Sequence, residues 1–239
     1  ALWLGLGVVL GGLLWAGWSG LSSKRARAVD RRLLATLMHD LRTPLTSLQL
    51  TMGELAHHEG YDDDERVTLA RAIEEVVALR SLLENLRLVE ATASAPTPVE
   101  RTEVLLHEQV ERLVYRYDLM AKARKARLEI GAEPLAVQAD PRLVELLLGN
   151  LVELALRSGA TVVRVSLTLP EERFRLSCQV TDGVLPEPRT VQTFMARRDA
   201  DRSQTGRSLA VVAVGVICGA SGWSFTRPSP TEFVVEGRL

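Results

Sequence analysis

The sequence predicts a membrane helix, then an all-α hairpin that dimerises into a four-helix bundle, then an α/β sandwich. Three observations lead to this order. Residues 1–23 carry no charge, and five basic side chains follow within 24–32. Leu34, Met38, Leu41, Leu45, Leu48, Met52 and Leu55 recur at alternating steps of four and three, which is a heptad seam. Beyond residue 101 the pattern changes to alternating helical and strand-like runs.

Composition sets the outer bounds. With 46% hydrophobic and 25% charged residues in 239, the chain can bury a core and is not disordered. Twenty-nine basic residues against 30 acidic ones leave no surplus to neutralise phosphates, so no nucleic-acid partner is expected. Cys178 and Cys218 are too few for a disulfide framework or a thiolate metal site and read as buried, reduced thiols.

The first element, 1–23, has roughly 20 apolar residues, enough at about 1.5 Å rise to cross the ~30 Å hydrocarbon core. Trp15 and Trp18 stand near its end, where an aromatic belt lies. A cleaved signal peptide would carry its basic residues ahead of the apolar run, and here they follow it. The positive-inside rule then puts everything after Lys24 in the cytoplasm and the protein in the inner (cytoplasmic) membrane. Because the chain begins at Ala1, an extracytoplasmic sensor and a first membrane helix are expected upstream.

Residues 24–93 form the hairpin. Its turn is His57 to Asp64, and the apolar pattern resumes at Leu69, Ile73, Val76, Leu83 and Leu86. So thin a hairpin cannot bury both its stripes, which predicts a homodimer. His57, His58 and Asp62 to Asp64 read as a solvated turn, and no metal site is assigned.

Residues 94–101 are a Pro-containing linker and 102–239 a second domain. Its expected elements are a helix near 102–124, a strand at 127–131, and a helix from Pro141 to about Arg157. Two strands, 161–169 and 173–181, flank a Pro-Glu-Glu turn suited to an antiparallel hairpin. Residues 185–205 read as a mobile loop. A helix opening at Gly206 and strands at 223–226 and 233–236 complete the sandwich.

The first hairpin helix contains Met38-His39-Asp40-Leu41-Arg42-Thr43-Pro44-Leu45-Thr46-Ser47-Leu48. This resembles the phospho-acceptor box of the two-component sensor histidine kinases. Their order of elements, a dimerisation and phosphotransfer hairpin followed by an ATP-binding domain of the Bergerat (GHKL) type shared with gyrase and Hsp90, matches residues 24–239. Read physically, His39 lies about 100° around the helix from Met38, at the edge of the seam, where a neutral imidazole can attack a phosphorus. Asp40 can hydrogen-bond the ring or take its proton. Thr43 shares a face with His39, and the family gives this position the role of orienting water toward a phospho-aspartyl partner. Pro44 has no amide hydrogen, which frees the carbonyl of Asp40 and bends the helix.

The resemblance implies ATP and Mg²⁺ as cofactors, and the sequence departs from the family where they would bind. The helix at 139–159 resembles one that presents two asparagines four apart; Asn150 is present, but Leu154 stands at the second position and cannot give magnesium a lone pair. The adenine-reading aspartate and glycines survive only in Thr181-Asp182-Gly183. Aligning on Asp182 loses the glycines, and aligning on Gly183 puts Thr181 at the aspartate. Gly206, Ser208 and Leu209 follow the second glycine-rich box, with Ser208 at its second glycine, and open a helix whose amides can cradle phosphate. Arg197, Arg198 and Arg202 lie in the corresponding lid. Two functions follow: a kinase phosphorylated on His39 that passes phosphate to the aspartate of a response-regulator receiver domain, or a pseudokinase with a degenerate ATP site serving as phosphotransfer protein or phosphatase.

Overall fold

The computed structural model describes residues 63–94, 99–188 and 205–238, with Thr46 and Leu48, both helical. The expected membrane span at 1–23, the acceptor residues His39, Asp40 and Thr43, the turn at 57–62 and the arginines 197, 198 and 202 lie outside the described residues. Among the described residues no helix is long and apolar enough to cross a membrane.

Helix α1 (Asp63–Ser94) takes in the last two acids of the expected turn. Asp63 and Asp64 stand in its first turn, where the positive end of the helix dipole favours carboxylates. The next element corrects the sequence reading, because residues 102–105 are not helical. They form β1 (Thr102–Leu105), paired antiparallel with β3 (Ala136–Ala139) so that Val104 lies opposite Val137. Both valines are buried, and the amide of Leu106 donates to the Leu135 carbonyl at 2.8 Å, so the ladder meets the backbone needs that a helical turn would have met. Helix α2 (Leu106–Ala123) follows, then β2 (Arg127–Ala132).

Helix α3 (Pro141–Leu156) begins with a strong stop-start signal. Asp140 accepts from the Arg142 amide at 2.9 Å as N-cap, and Pro141 takes the first helical position, where its missing N–H is no loss. β4 (Val162–Thr168) and β5 (Arg173–Thr181) form the expected antiparallel hairpin, with Glu171 at φ 57 in its turn. Helix α4 (Thr205–Ser221) and the β6 (Ser224–Ser229) and β7 (Glu232–Arg238) pair complete the chain. The five-stranded sheet runs β2-β4-β5-β7-β6, with only β2 and β4 parallel.

The period-2 alternation of the strands divides the sheet into two faces. Val163, Val165 and Leu167 of β4, Phe174, Leu176 and Cys178 of β5, and Phe233 and Val235 of β7 share the core with α2, α3 and α4. On the other face polar pairs cross the strands: Arg164 with Glu129 at 2.7 Å, Ser166 with Ser177 at 2.7 Å, Arg175 with Glu236 at 2.8 Å and Gln179 with Glu232 at 3.2 Å. This is the pattern of an antiparallel sheet with one face toward solvent. Cys178 and Cys218 are buried free thiols, as expected, and burial pushes both up to about 12.

Helix α1 packs on α4, α2 and α3. Val89 joins Leu209 and Val212 in a small second cluster, flanked by Leu82, Leu86 and Val216.

Candidate nucleotide site

The helix expected to read nucleotide, α3, turns its polar residues toward α1. Asn150 is 1% exposed and Asn85 2%. Asn85 Nδ2 donates to Asn150 Oδ1 at 2.7 Å, and Asn150 Nδ2 donates to Asn85 Oδ1 at 2.8 Å. One turn away on each helix, Ser81 Oγ donates to Glu153 Oε1 at 2.7 Å, and the Tyr117 hydroxyl of α2 reaches the same oxygen at 3.3 Å. Gly149 leaves room for that tyrosine, since a Cβ there would stand 2.9 Å from its hydroxyl. Three helices thus meet around two amides, a carboxyl and two hydroxyls, every one of them hydrogen-bonded as buried polar groups require.

Burial raises the Glu153 carboxyl above the ordinary glutamate range; the Ser81 hydrogen bond, the Arg157 charge, the Tyr117 hydroxyl and Arg116 oppose it without cancelling it. Burial also raises the Tyr117 hydroxyl, and the neighbouring Glu153 charge adds to the shift.

Leu154 is 3% exposed and belongs to the main hydrophobic core. Asp182 is exposed at φ 63 and accepts from Thr161 Oγ1 at 2.7 Å. Gly183 is buried, and a Cβ there would fall 2.2 Å from Ser158 Oγ and 3.1 Å from the Ala160 amide nitrogen. The crowding at that Cβ position suits a glycine there. The segment beyond is fastened to the β6–β7 turn, because the Leu185 amide donates to the Pro230 carbonyl at 2.9 Å, Arg227 donates to the Leu185 carbonyl at 2.8 Å, and Arg227 pairs with Glu187. Gly206 and Ser208 lie in the first turn of α4, and Leu209 is buried against Val89 of α1. Asn150 and Leu209 therefore both face α1, while Asp182 and Gly183 sit past the end of α3 against Thr161 and Ser158.

A magnesium ion is a hard cation that asks for several oxygen ligands. The Asn150 oxygen is taken by Asn85, Leu154 has none, and among the described residues no group of three His, Cys, Asp or Glu is placed to hold a metal. In this arrangement neither of the two positions expected to meet the ion, Asn150 and Leu154, has an oxygen to offer it.

Sequence reasoning named Asn150 but missed Asn85, Ser81 and Tyr117. A signal was present: Leu82, Asn85, Leu86 and Val89 follow helical spacing, and an amide inside an apolar stripe marks a buried polar partner.

The phospho-acceptor box in the sequence ahead of α1 and the α/β domain of this topology after it point to a histidine kinase core, and comparison with known proteins agrees. Residues 30–93 match the His Kinase A (phospho-acceptor) domain. The chain is 28% identical over 217 residues to the sensor histidine kinase CpxA of Escherichia coli (strain K12), covering 87% of this chain and 46% of the relative. It is 26% identical over 201 residues to the signal transduction histidine-protein kinase AfsQ2 of Streptomyces coelicolor, covering 76% of this chain and 37% of the relative. The fold resembles full-length ShkA in complex with AMPPNP, with a TM-score of 0.56 and 21% identity over 86% of this chain and 45% of that one. It also resembles the Acinetobacter baumannii histidine kinase AdeS, with a TM-score of 0.53 and 19% identity over 84% of this chain and 98% of that one. Residues 30–93 thus carry a His Kinase A domain, and over most of its length the chain is similar to two-component sensor histidine kinases. It spans less than half the length of the curated relatives named here.

Proposed function

We propose that this chain is the signalling core of an inner-membrane sensor histidine kinase that works as a homodimer and phosphorylates itself on His39. An imidazole nitrogen of His39 attacks the γ-phosphorus of ATP, the bond to the β-phosphate oxygen breaks, and ADP leaves. Asp40, the next residue, takes or shares the ring proton. A receiver-domain aspartate of a response regulator then attacks the phosphorus, the P–N bond breaks, and an acyl phosphate forms. Thr43, four residues after His39, orients water for a separate reaction, the hydrolysis of the receiver's acyl phosphate, which breaks the P–O bond, releases inorganic phosphate and restores the aspartate. The expected span at 1–23 supplies the membrane anchor, and the heptad seam through Leu48 the dimer.

The observation that carries this reading is that the phospho-acceptor match at 30–93 encloses His39 to Leu45. Binding of AMPPNP, an ATP analogue, by ShkA of the same fold supports ATP as the phosphoryl donor. Gly206, Ser208 and Leu209 at the start of α4, with Asp182, Gly183 and Asn150, are the residues proposed to meet it.

Incubating the cytoplasmic chain with γ-labelled ATP tests this. The label should be acid-labile, map to His39 and vanish in His39→Gln. Label that persists in the variant rejects His39 as the acceptor. Thr43→Ala should leave His39 able to carry phosphate while slowing regulator dephosphorylation; an unchanged dephosphorylation rate would retire Thr43 from that role.

A further inference from the structure

We propose that the Asn85 carboxamide is the resident ligand of Asn150, so that helix α1 and nucleotide compete for the same site. This rests on the functional reading above, in which Asn150 and the start of α4 face ATP. Asn150 and Leu209 are both covered by α1. Asn150 gives one amide hydrogen and its carbonyl oxygen to Asn85, at 2.8 and 2.7 Å. Leu209, in the opening turns of α4, is buried against Val89 with Leu82 and Leu86 beside it. Ser81 adds a second polar anchor at Glu153, one turn before Asn85.

A displaced polar group is costly to bury, and a matched one is not. The two carboxamides satisfy each other in a site 1–2% exposed, so nucleotide must replace both hydrogen bonds and open the Leu209 cluster before it can use Asn150. The docked arrangement is therefore a closed state. A ligand that binds only the open state has its apparent dissociation constant raised by the reciprocal of the open fraction.

Asn85 is nine residues from the seam residue Val76, which at about 100° per residue is half a revolution around the helix. Ser81, Leu88, Val89 and Thr92 flank Asn85, whereas Leu69, Ile73 and Leu83 flank Val76. Val76 and Asn85 thus stand on opposite faces of α1, and Leu86, between them, packs beside Leu209.

The test uses the complete cytoplasmic chain and trinitrophenyl-ATP displaced by ATP. Asn85→Ala removes both hydrogen bonds from the Asn150 carboxamide when docked, so ATP should bind about tenfold more tightly. Ser81→Ala, which does not touch Asn150, should tighten binding in the same direction. On the unmodified chain, saturating ATP should lower hydrogen-exchange protection at residues 77–92 of α1, a readout that needs no variant. ATP binding with equal affinity in all three proteins and unchanged exchange in α1 would overturn the competition and leave the kinase reading standing. Absence of ATP binding in all three would overturn both.

Discussion

Ser81 of α1 and Glu153 of α3 are joined by a 2.7 Å hydrogen bond although 72 residues separate them in the chain. The bond ends on a carboxyl that is 6% exposed and raised above its ordinary range by burial. A raised carboxyl binds a proton in the folded state at a pH where the unfolded chain has released it. Its contribution is therefore complete below the ordinary glutamate value and is lost as pH rises through the folded value.

Glu153→Gln should remove this dependence. In urea titrations from pH 4 upward, the unmodified chain should lose stability with rising pH over that window more steeply than the variant. Parallel curves for the two proteins would show that Glu153 stays ionised when folded.

Asp140 has the opposite sign. Burial raises its carboxyl, but hydrogen bonds from the Arg142 side chain and from the Glu100 and Arg142 amides outweigh that, and the net shift is downward. Its contribution is present above the ordinary aspartate value and fades as pH falls through the folded one. Asp140→Ala should cost about 1 kcal/mol at neutral pH through the lost cap. The gap between the two proteins should narrow in acid, measured by thermal unfolding; a gap that is constant with pH would rule out the ionised cap.

Leu154→Asn looks from sequence like the repair of a missing ligand, and the core around it argues otherwise. Removing a buried leucine and leaving an amide there should cost about 3 kcal/mol or more. Chemical denaturation gives the number, and a loss below about 1 kcal/mol would mean that the amide has found a polar partner.

Gly183→Ala should destabilise by about 1–2 kcal/mol, because its Cβ would stand 2.2 Å from Ser158 Oγ. Ser158→Ala in the same chain should recover part of the loss, while the contact with the Ala160 amide at 3.1 Å keeps the recovery incomplete. A double-mutant cycle with no coupling would place the clash elsewhere.

The sequence was most legible where local pattern and local turn agree. The strand at 173–181 and its hairpin with β4 follow from alternation and a Pro-Glu-Glu turn, and α3 from Asp140-Pro141 and its leucines. The pairing of β1 with β3 was not legible, since four-residue strands 34 residues apart carry almost no periodic signal and the apolar spacing around Val104 suits a helix equally well. The apolar stripe of α1 could be read in the sequence because one helix contains its whole period. Its opposite face could not, because Ser81 and Asn85 acquire meaning only from Glu153 and Asn150, which another domain brings to them. For the same reason Asn150 was identified and its actual neighbour was not. His39, Asp40 and Thr43, the most specific part of the sequence, lie outside the described residues.

The Asn85 and Asn150 pair also carries positional information. Sliding α1 by one turn, about 5.4 Å, would set Ser81 or Val89 opposite Asn150. A valine offers no hydrogen bond, and a serine side chain is too short to return two. Only one longitudinal setting satisfies both amides and the Ser81–Glu153 bond one turn away, so the two contacts together act as an alignment pin between the helices. An axial displacement of the helix by a fraction of a turn would lengthen both amide bonds at once, so the contact is made or lost as a unit.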